Sequence, residues 1–181
     1  MNIIECAIPG PLIIEPKVFG DDRGFFMETW NAAAFAEAGL DLTFVQDNHS
    51  RSARGVLRGL HFQNPGPQGK LVRVTAGRVW DVAVDLRRCS PHFGHWVGVE
   101  LSAANRRMFG GPEGLAHCFV TLEDGTDFLY KCTAPYAPQF EHSLAWDDPT
   151  VGIDWPIDGI AVQLSAKDRA GLALADIPAF G

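Results

Sequence analysis

Short apolar runs rich in Val, Ile and Phe recur through most of this chain, each broken by Gly, Pro or Asp. That punctuation fits strands and turns far better than long helices. The alternation is cleanest from Asp81 to Arg87, where Val82, Val84 and Leu86 share one face and Asp81, Ala83, Asp85 and Arg87 the other. A half-buried strand is expected there. Lys70 to Val79 reads as another strand, with a turn or bulge at Gly77-Arg78, and Trp96 to Leu101, Leu115 to Leu122 and Thr126 to Thr133 as three more. Such spacing suits a barrel or sandwich. Short helices are expected at two places only. One is Asn31 to Ala38, with Asn31 as N-cap and Gly39 as stop; the other is Ser165 to Leu172, opened by Ser165-x-x-Asp168. Ala175 to Gly181 reads as a loose tail. No repeat or linker divides the chain, and 181 residues suffice for one good core, so a single domain over residues 1–181 is expected.

Composition narrows the function. With 46% apolar and 20% charged residues the chain is neither disordered nor membrane-embedded. Its net charge of −7 argues against binding nucleic acid or an anionic membrane, yet leaves room for a local basic pocket that holds one phosphorylated ligand. Met1 to Pro16 reads as neither signal nor transit peptide, and no apolar run is long enough to span a bilayer. Cys6, Cys89, Cys118 and Cys132 lie far apart with no C-x-x-C pair, which indicates neither a zinc cage nor a redox couple. Buried free thiols in a reducing cytoplasm are the expectation.

Few residues stand out for chemistry. His61 sits in the strand-like Arg58-Gly59-Leu60-His61-Phe62-Gln63, ahead of the turn Asn64-Pro65-Gly66-Pro67 and Lys70. A lone strand histidine is more often a hydrogen-bonded core residue than a catalyst. A carboxylate such as Asp168, if it reached the imidazole, would fix its tautomer and make it a general base near neutral pH. In a regular strand Arg58 and His61 point to opposite faces, so both can serve one pocket only if Gly59 supplies a bulge. The only two tyrosines, Tyr130 and Tyr136, would by themselves be packing aromatics.

His117 closes Pro112-x-Gly114-x-x-His117, which resembles the second motif of cupins, small double-stranded β-helix barrels whose motif histidine often binds metal. The first cupin motif normally gives His-x-His and a later Glu, whereas this chain has His61-x-Gln63 and no Glu before Gly77. The metal-ligand set is incomplete.

A more specific resemblance covers nearly the whole chain. Asp22-Arg23-Gly24-Phe25-Phe26, Phe44 to Ser50, Gly55 to Gln63, Pro67 to Val74, Gly77 to Arg87, Tyr130 to Tyr136 and Trp146 to Pro156 resemble, in order, the dTDP-4-dehydrorhamnose 3,5-epimerase family. The resemblance implies a mainly β cupin jelly-roll barrel with short peripheral helices. It implies epimerisation of dTDP-4-dehydro-6-deoxyglucose at C3 and C5, without metal or other cofactor, in deoxysugar biosynthesis. Carried over by position, it makes His61 the base, Asp168 its orienting partner, Tyr130 the acid and Lys70 the group on the C4 oxygen. Arg23, Glu28, Gln46, Asp47, Asn48, Arg58, His117, Glu141 and Lys167 would contact substrate, with Tyr136 stacked on thymine. It also implies a homodimer exchanging N-terminal strands, with Arg23 and Glu28 near the partner's site.

The chain departs from the family pattern at Phe109-Gly110-Gly111, where bulky apolar residues are usual, and at Leu115 and Cys118, where Phe and Gly are common. Lost bulk beside His117 is expected to widen the sugar pocket. Three other readings are compatible with parts of the pattern. A mono-epimerase inverting only C3 or C5 in antibiotic-sugar biosynthesis would keep His61, Asp168 and Tyr130. A metal-dependent cupin dioxygenase would use His61, His117 and a carboxylate. A non-catalytic nucleotide-sugar module would keep Arg23, Arg58 and Tyr136 but would not need His61, Lys70, Tyr130 and Asp168 together.

Overall fold

A computed structural model describes residues 1–181. In chain order the elements are β1 (Asn2–Glu5), β2 (Leu12–Glu15), the hairpin β3 (Val18–Asp21) and β4 (Gly24–Met27), and helix α1 (Ala32–Glu37). Then come β5 (Gln46–Ser52), β6 (Leu57–Gln63), β7 (Lys70–Ala76), β8 (Arg78–Asp85), β9 (Trp96–Ser102) and β10 (Met108–Gly111). The chain continues with β11 (Leu115–Thr121), β12 (Thr126–Cys132), β13 (Glu141–Ser143) and the single-turn helix α2 (Ala166–Arg169). The main sheets run β1-β2-β10-β7-β12-β5 and β13-β6-β11-β8-β9; β3 and β4 pair only with each other. The pairings within them are antiparallel, giving the expected mainly β jelly roll of two sheets.

Apolar side chains form three layers. Val72, Val74 and Phe128 from one sheet meet Val79, Ala83, Val99 and Phe119 from the other inside the barrel. Outside the five-stranded sheet, Leu60, Val82, Val84, Ala116 and Val120 pack under Leu144, Val151, Leu174 and Ile177 of the C-terminal third. Outside the six-stranded sheet, α1 lays Phe35 against Ile14, Leu71 and Met108.

This layering corrects two expectations. The Asp81–Arg87 strand is not half-buried: Asp81, Ala83 and Asp85 are as buried as the valines between them, because β8 lies between β11 and β9 with apolar layers on both sides. Asp85 is neutralised by Arg87 at 2.7 Å and accepts the Ser90 hydroxyl at 2.7 Å. The C-terminus is not loose either. Phe180 donates its N–H to the Leu86 carbonyl at 3.0 Å and accepts from Arg88 N–H at 2.9 Å, while Ile177 is buried.

Both helices form where expected. Asn31 Oδ1 accepts the Ala34 N–H at 3.2 Å, and Gly39 ends α1 with φ 87°. The second helix stops at Arg169, before the expected end, because Leu172 turns back to exchange backbone hydrogen bonds with Ser143 and Ala145 at 2.9 and 2.8 Å.

Candidate active site

A cavity of about 380 Å³ opens between the two sheets. One wall carries His61 on β6, with Asp81 and His117 from neighbouring strands; the other carries Lys70 on β7 and Tyr130 and Cys132 on β12. The registers Cys132 with Lys70 and Tyr130 with Val72, together with the period of two, put Lys70, Tyr130 and Cys132 on the inner face.

His61 reaches the cavity with Arg58 through the expected bulge. On β11, His117 pairs with His61 and Phe119 with Arg58, so two residues of β6, Gly59 and Leu60, stand opposite Cys118 alone. Gly59 has φ 133°, and a Cβ there would lie 2.5 Å from Cys118 Cα and from the His117 carbonyl oxygen. Only glycine fits that crossing.

His61 Nε2 lies 2.6 Å from Asp168 Oδ1. The carboxylate also accepts the Ser165 hydroxyl at 2.7 Å and the Gly59 N–H at 3.4 Å. Burial alone would raise the Asp168 pKa, but these hydrogen bonds, that from His61 foremost, outweigh it and hold the carboxyl at about 2. An ionised carboxylate can only accept, so Nε2 carries the proton and the lone pair is on Nδ1, 3.9 Å from Glu141 Oε1. His61 is thereby a base with a fixed tautomer.

The remaining groups differ in charge state because they differ in burial. Burial, then the nearby Cys132 and Glu141, raises the Tyr130 phenol, which stays protonated and can donate. Burial lowers the Lys70 ammonium. Burial, then Lys70, lowers His117 to about 3, so its imidazole is neutral, and neither ring nitrogen has a hydrogen-bond partner. At the mouth, Glu141 accepts the Tyr136 hydroxyl at 2.6 Å and Lys167 Nζ at 2.7 Å, and Gln46 accepts the Tyr136 N–H at 2.8 Å. Asn48 and Arg58 complete the polar rim. This is an acid and a base on facing walls, with a buried cation between sheets and a half-exposed aromatic at the entrance. Such an arrangement can move protons at a carbon beside a carbonyl.

The sequence profile of the dTDP-4-dehydrorhamnose 3,5-epimerase family matches residues 5–176. The chain belongs to this family. It is 57% identical over 181 residues to the dTDP-4-dehydrorhamnose 3,5-epimerase of Pseudomonas aeruginosa, covering 99% of both chains, and 56% identical over 172 residues to that of Salmonella typhimurium, covering 94% and 93%. The crystal structure of a Legionella pneumophila 3,5-epimerase in complex with dTDP-4-keto-L-rhamnose is 52% identical, with a TM-score of 0.93 over 97% of this chain and 94% of that one. A 3′-monoepimerase from Streptomyces bikiniensis in complex with dTDP-quinovose is 37% identical, with a TM-score of 0.88 over 94% and 86%. The 3,5-epimerase family is one of isomerases on a cupin-like fold, and the chain shares both. No helix is long and apolar enough to cross a membrane.

Of the residues that the epimerase resemblance singles out, ten line the cavity: His61, Lys70, Tyr130, Gln46, Asn48, Arg58, His117, Tyr136, Glu141 and Lys167. Asp168 stands behind His61. Three lie elsewhere in this chain. Asp47 points to the outer face and pairs with Lys131 at 2.8 Å, because Gln46 and Asn48 take the inner positions of β5. Arg23 is exposed on the β3–β4 hairpin and pairs with Asp21, and Glu28 accepts from Asn31 at 3.1 Å.

The space beside the departing glycines is filled by neighbouring side chains. A Cβ on Gly111 would lie 2.7 Å from Leu115 Cδ1, and one on Gly110 3.0 Å from Leu71 Cδ1. Leu115 and Leu71 already occupy that space, and of the departing residues only Cys118 lines the cavity. Cys118 and Cys132 are buried as expected, but Cys89 is exposed. Asp81 and Cys132 are cavity residues that the sequence reading passed over; a carboxylate amid the valines of β8 was the available signal for the first. No group of three or more His, Cys, Asp or Glu side chains is arranged to hold a metal ion.

Proposed function

We propose that this chain epimerises dTDP-4-dehydro-6-deoxy-D-glucose at C3 and C5, giving dTDP-4-dehydro-L-rhamnose in deoxysugar biosynthesis, by proton abstraction beside the C4 ketone. The observation that carries the reading is His61, its Nδ1 lone pair fixed by the Asp168 contact at Nε2, facing Tyr130 on the opposite sheet with Lys70 buried between. His61 takes the proton from C3 or C5. The electron pair moves to the C4 oxygen, where the Lys70 ammonium opposes the growing negative charge. Tyr130 returns a proton to the other face. Both carbons flank one ketone, so a single acid and base can invert either, and the scheme needs no cofactor. The similarity to a 3,5-epimerase at 57% identity, against 37% for a 3′-monoepimerase, favours inversion at both.

Lys167 and Arg58, which line the cavity, would meet the diphosphate, which reconciles an acidic protein with a polyanionic ligand, while Tyr136 would stack on thymine. Gln46, Asn48, His117 and Glu141 would contact the remaining polar groups. Residues 1–181 act as one unit, since α2 supplies the carboxylate that orients a β6 histidine. Homodimerisation belongs to the same reading: Phe19, Phe25 and Phe26 leave an apolar hairpin uncovered, and on that arm Arg23, with Glu28 beside it, would reach the partner's cavity. Four free thiols suit a reducing, cytoplasmic setting.

The test is NMR in deuterated water on chelator-treated protein with dTDP-4-dehydro-6-deoxyglucose, coupled to a rhamnose-forming reductase. Deuterium at C3 and C5 with reductase turnover is the expected result. Deuterium at one carbon only would make the chain a mono-epimerase, and none at either would overturn the reading.

A further inference from the structure

Three of the side chains lining the cavity, Lys70, Asp81 and His117, are at least nine-tenths buried. Lys70 enters from β7 on the six-stranded sheet, and the other two from the five-stranded sheet opposite. On β8 and β11 the register pairs Asp81 with Phe119 and Ala83 with His117, which makes Asp81 and His117 diagonal neighbours on the inner face. Asp81 Oδ1 has no hydrogen-bond partner. A carboxyl buried in that state is costly unless a charge faces it, and the charge that acts on it is Lys70.

The groups facing Lys70 come from five elements: Asp81 on β8, His117 on β11, Cys132 on β12, Glu141 on β13 and Lys167 on α2. His117 is neutral, and burial keeps Cys132 a thiol. Glu141 is already engaged by Lys167 and Tyr136. Asp81, whose Oδ1 has no hydrogen-bond partner, is therefore the uncommitted carboxyl. Burial presses Lys70 to lose its proton and presses Asp81 to gain one, and each opposes that tendency in the other.

We propose that Asp81 is a positioning residue for Lys70: from the opposite sheet its carboxylate keeps the lysine an ammonium and holds it inside the barrel where the ketone oxygen of the substrate arrives. The proposal rests on the reading of Lys70 as the group that meets that oxygen. It gives a buried aspartate that touches no reacting atom a defined share in the reaction.

The titration of each lysine can be followed through its Cε and Hε resonances in carbon-13-labelled protein, with K70M assigning the Lys70 signal. Lys70 should titrate about one to three pH units lower in D81N than in the unaltered protein, the range for loss of one close opposite charge, while Lys17 and Lys131 stay put. By reciprocity, K70M should raise the titration of the Asp81 carboxyl carbon. The alkaline limb of kcat/KM for deuterium exchange into substrate should move down in D81N together with Lys70, which a merely structural role would not produce. A Lys70 titration unmoved in folded D81N overturns the proposal; should D81N fail to fold, an unmoved Asp81 carboxyl in K70M does so instead. Lack of exchange by the unaltered protein would strike the epimerase reading and the catalytic part of the proposal, and the two titrations would still decide whether the residues sustain each other's charge.

Discussion

Asp168 Oδ1 lies 2.6 Å from His61 Nε2 across a separation of 107 residues. The contact joins a barrel strand to the C-terminal segment that covers its outer face. Ser165 anchors Asp168 twice, donating its hydroxyl to the carboxylate Oδ2 at 2.7 Å and accepting the Asp168 backbone N–H at 3.2 Å. The base is thus held by a turn that is itself capped.

Replacing His61 with Ala should abolish deuterium exchange at both carbons, by the factor of about 10²–10⁴ or more that a positioned acid or base supplies. Binding of dTDP, measured calorimetrically, should stay largely intact because the nucleotide groups lie at the mouth. Normal turnover in this variant would remove His61 from the mechanism.

Tyr130→Phe should separate the two half-reactions. Substrate protons still wash out through His61, yet inverted product does not accumulate, since a phenyl ring cannot donate. Unchanged product formation in the coupled reductase assay would contradict the assignment of Tyr130 as acid.

For Tyr136→Ala the loss should appear in affinity. Stacking of a base on an aromatic ring contributes about 1–3 kcal/mol, so the dissociation constant for dTDP should rise about 5- to 150-fold, with exchange at saturation little altered. An unaltered constant would place the thymine elsewhere.

Gly59→Ala should disrupt both stability and catalysis. The new Cβ would fall 2.5 Å from the backbone of Cys118 at φ 133°, and a non-glycine residue in such a conformation costs about 1–3 kcal/mol before any clash. Urea denaturation should show at least that loss, and exchange should fall as His61 and Asp168 separate. A fully active, equally stable variant would show that the bulge is dispensable.

Stability should decline on acidification in two stages. The neutral His117, at about 3 against an ordinary 6.5, binds its proton more readily when unfolded, so its contribution is complete above pH 6.5 and is lost as pH falls towards 3. Asp168, at about 2 against an ordinary 3.8, contributes roughly 2 kcal/mol above pH 4, lost as pH falls towards 2. Urea midpoints in the unaltered protein and in His117→Asn should diverge in slope between pH 6 and 4, where the variant changes less; parallel curves would mean that His117 titrates normally.

Much of this was within reach of the sequence. Alternation and turn residues located the central strands, Asn31 and Ser165 marked the helix starts, and the clash between Arg58 and His61 on a regular strand called for the bulge at Gly59. The order of short motifs identified the family, because such a set recurs only where the same site is built. That Asp47 faces outward while Gln46 and Asn48 face inward was also implicit in the period of two. What the sequence could not supply was what lies on the far side of each element. Periodicity tells which residues share a face and is silent about what covers the other, so the burial of Asp81 and Asp85, the docking of the C-terminus under β8 and the filling of space beside Gly111 by Leu115 awaited the packed molecule. The same holds for the site itself: distance along the chain carries no information about distance through space, and only the closing of the two sheets faced Lys70 with Asp81 and brought Asp168 to His61.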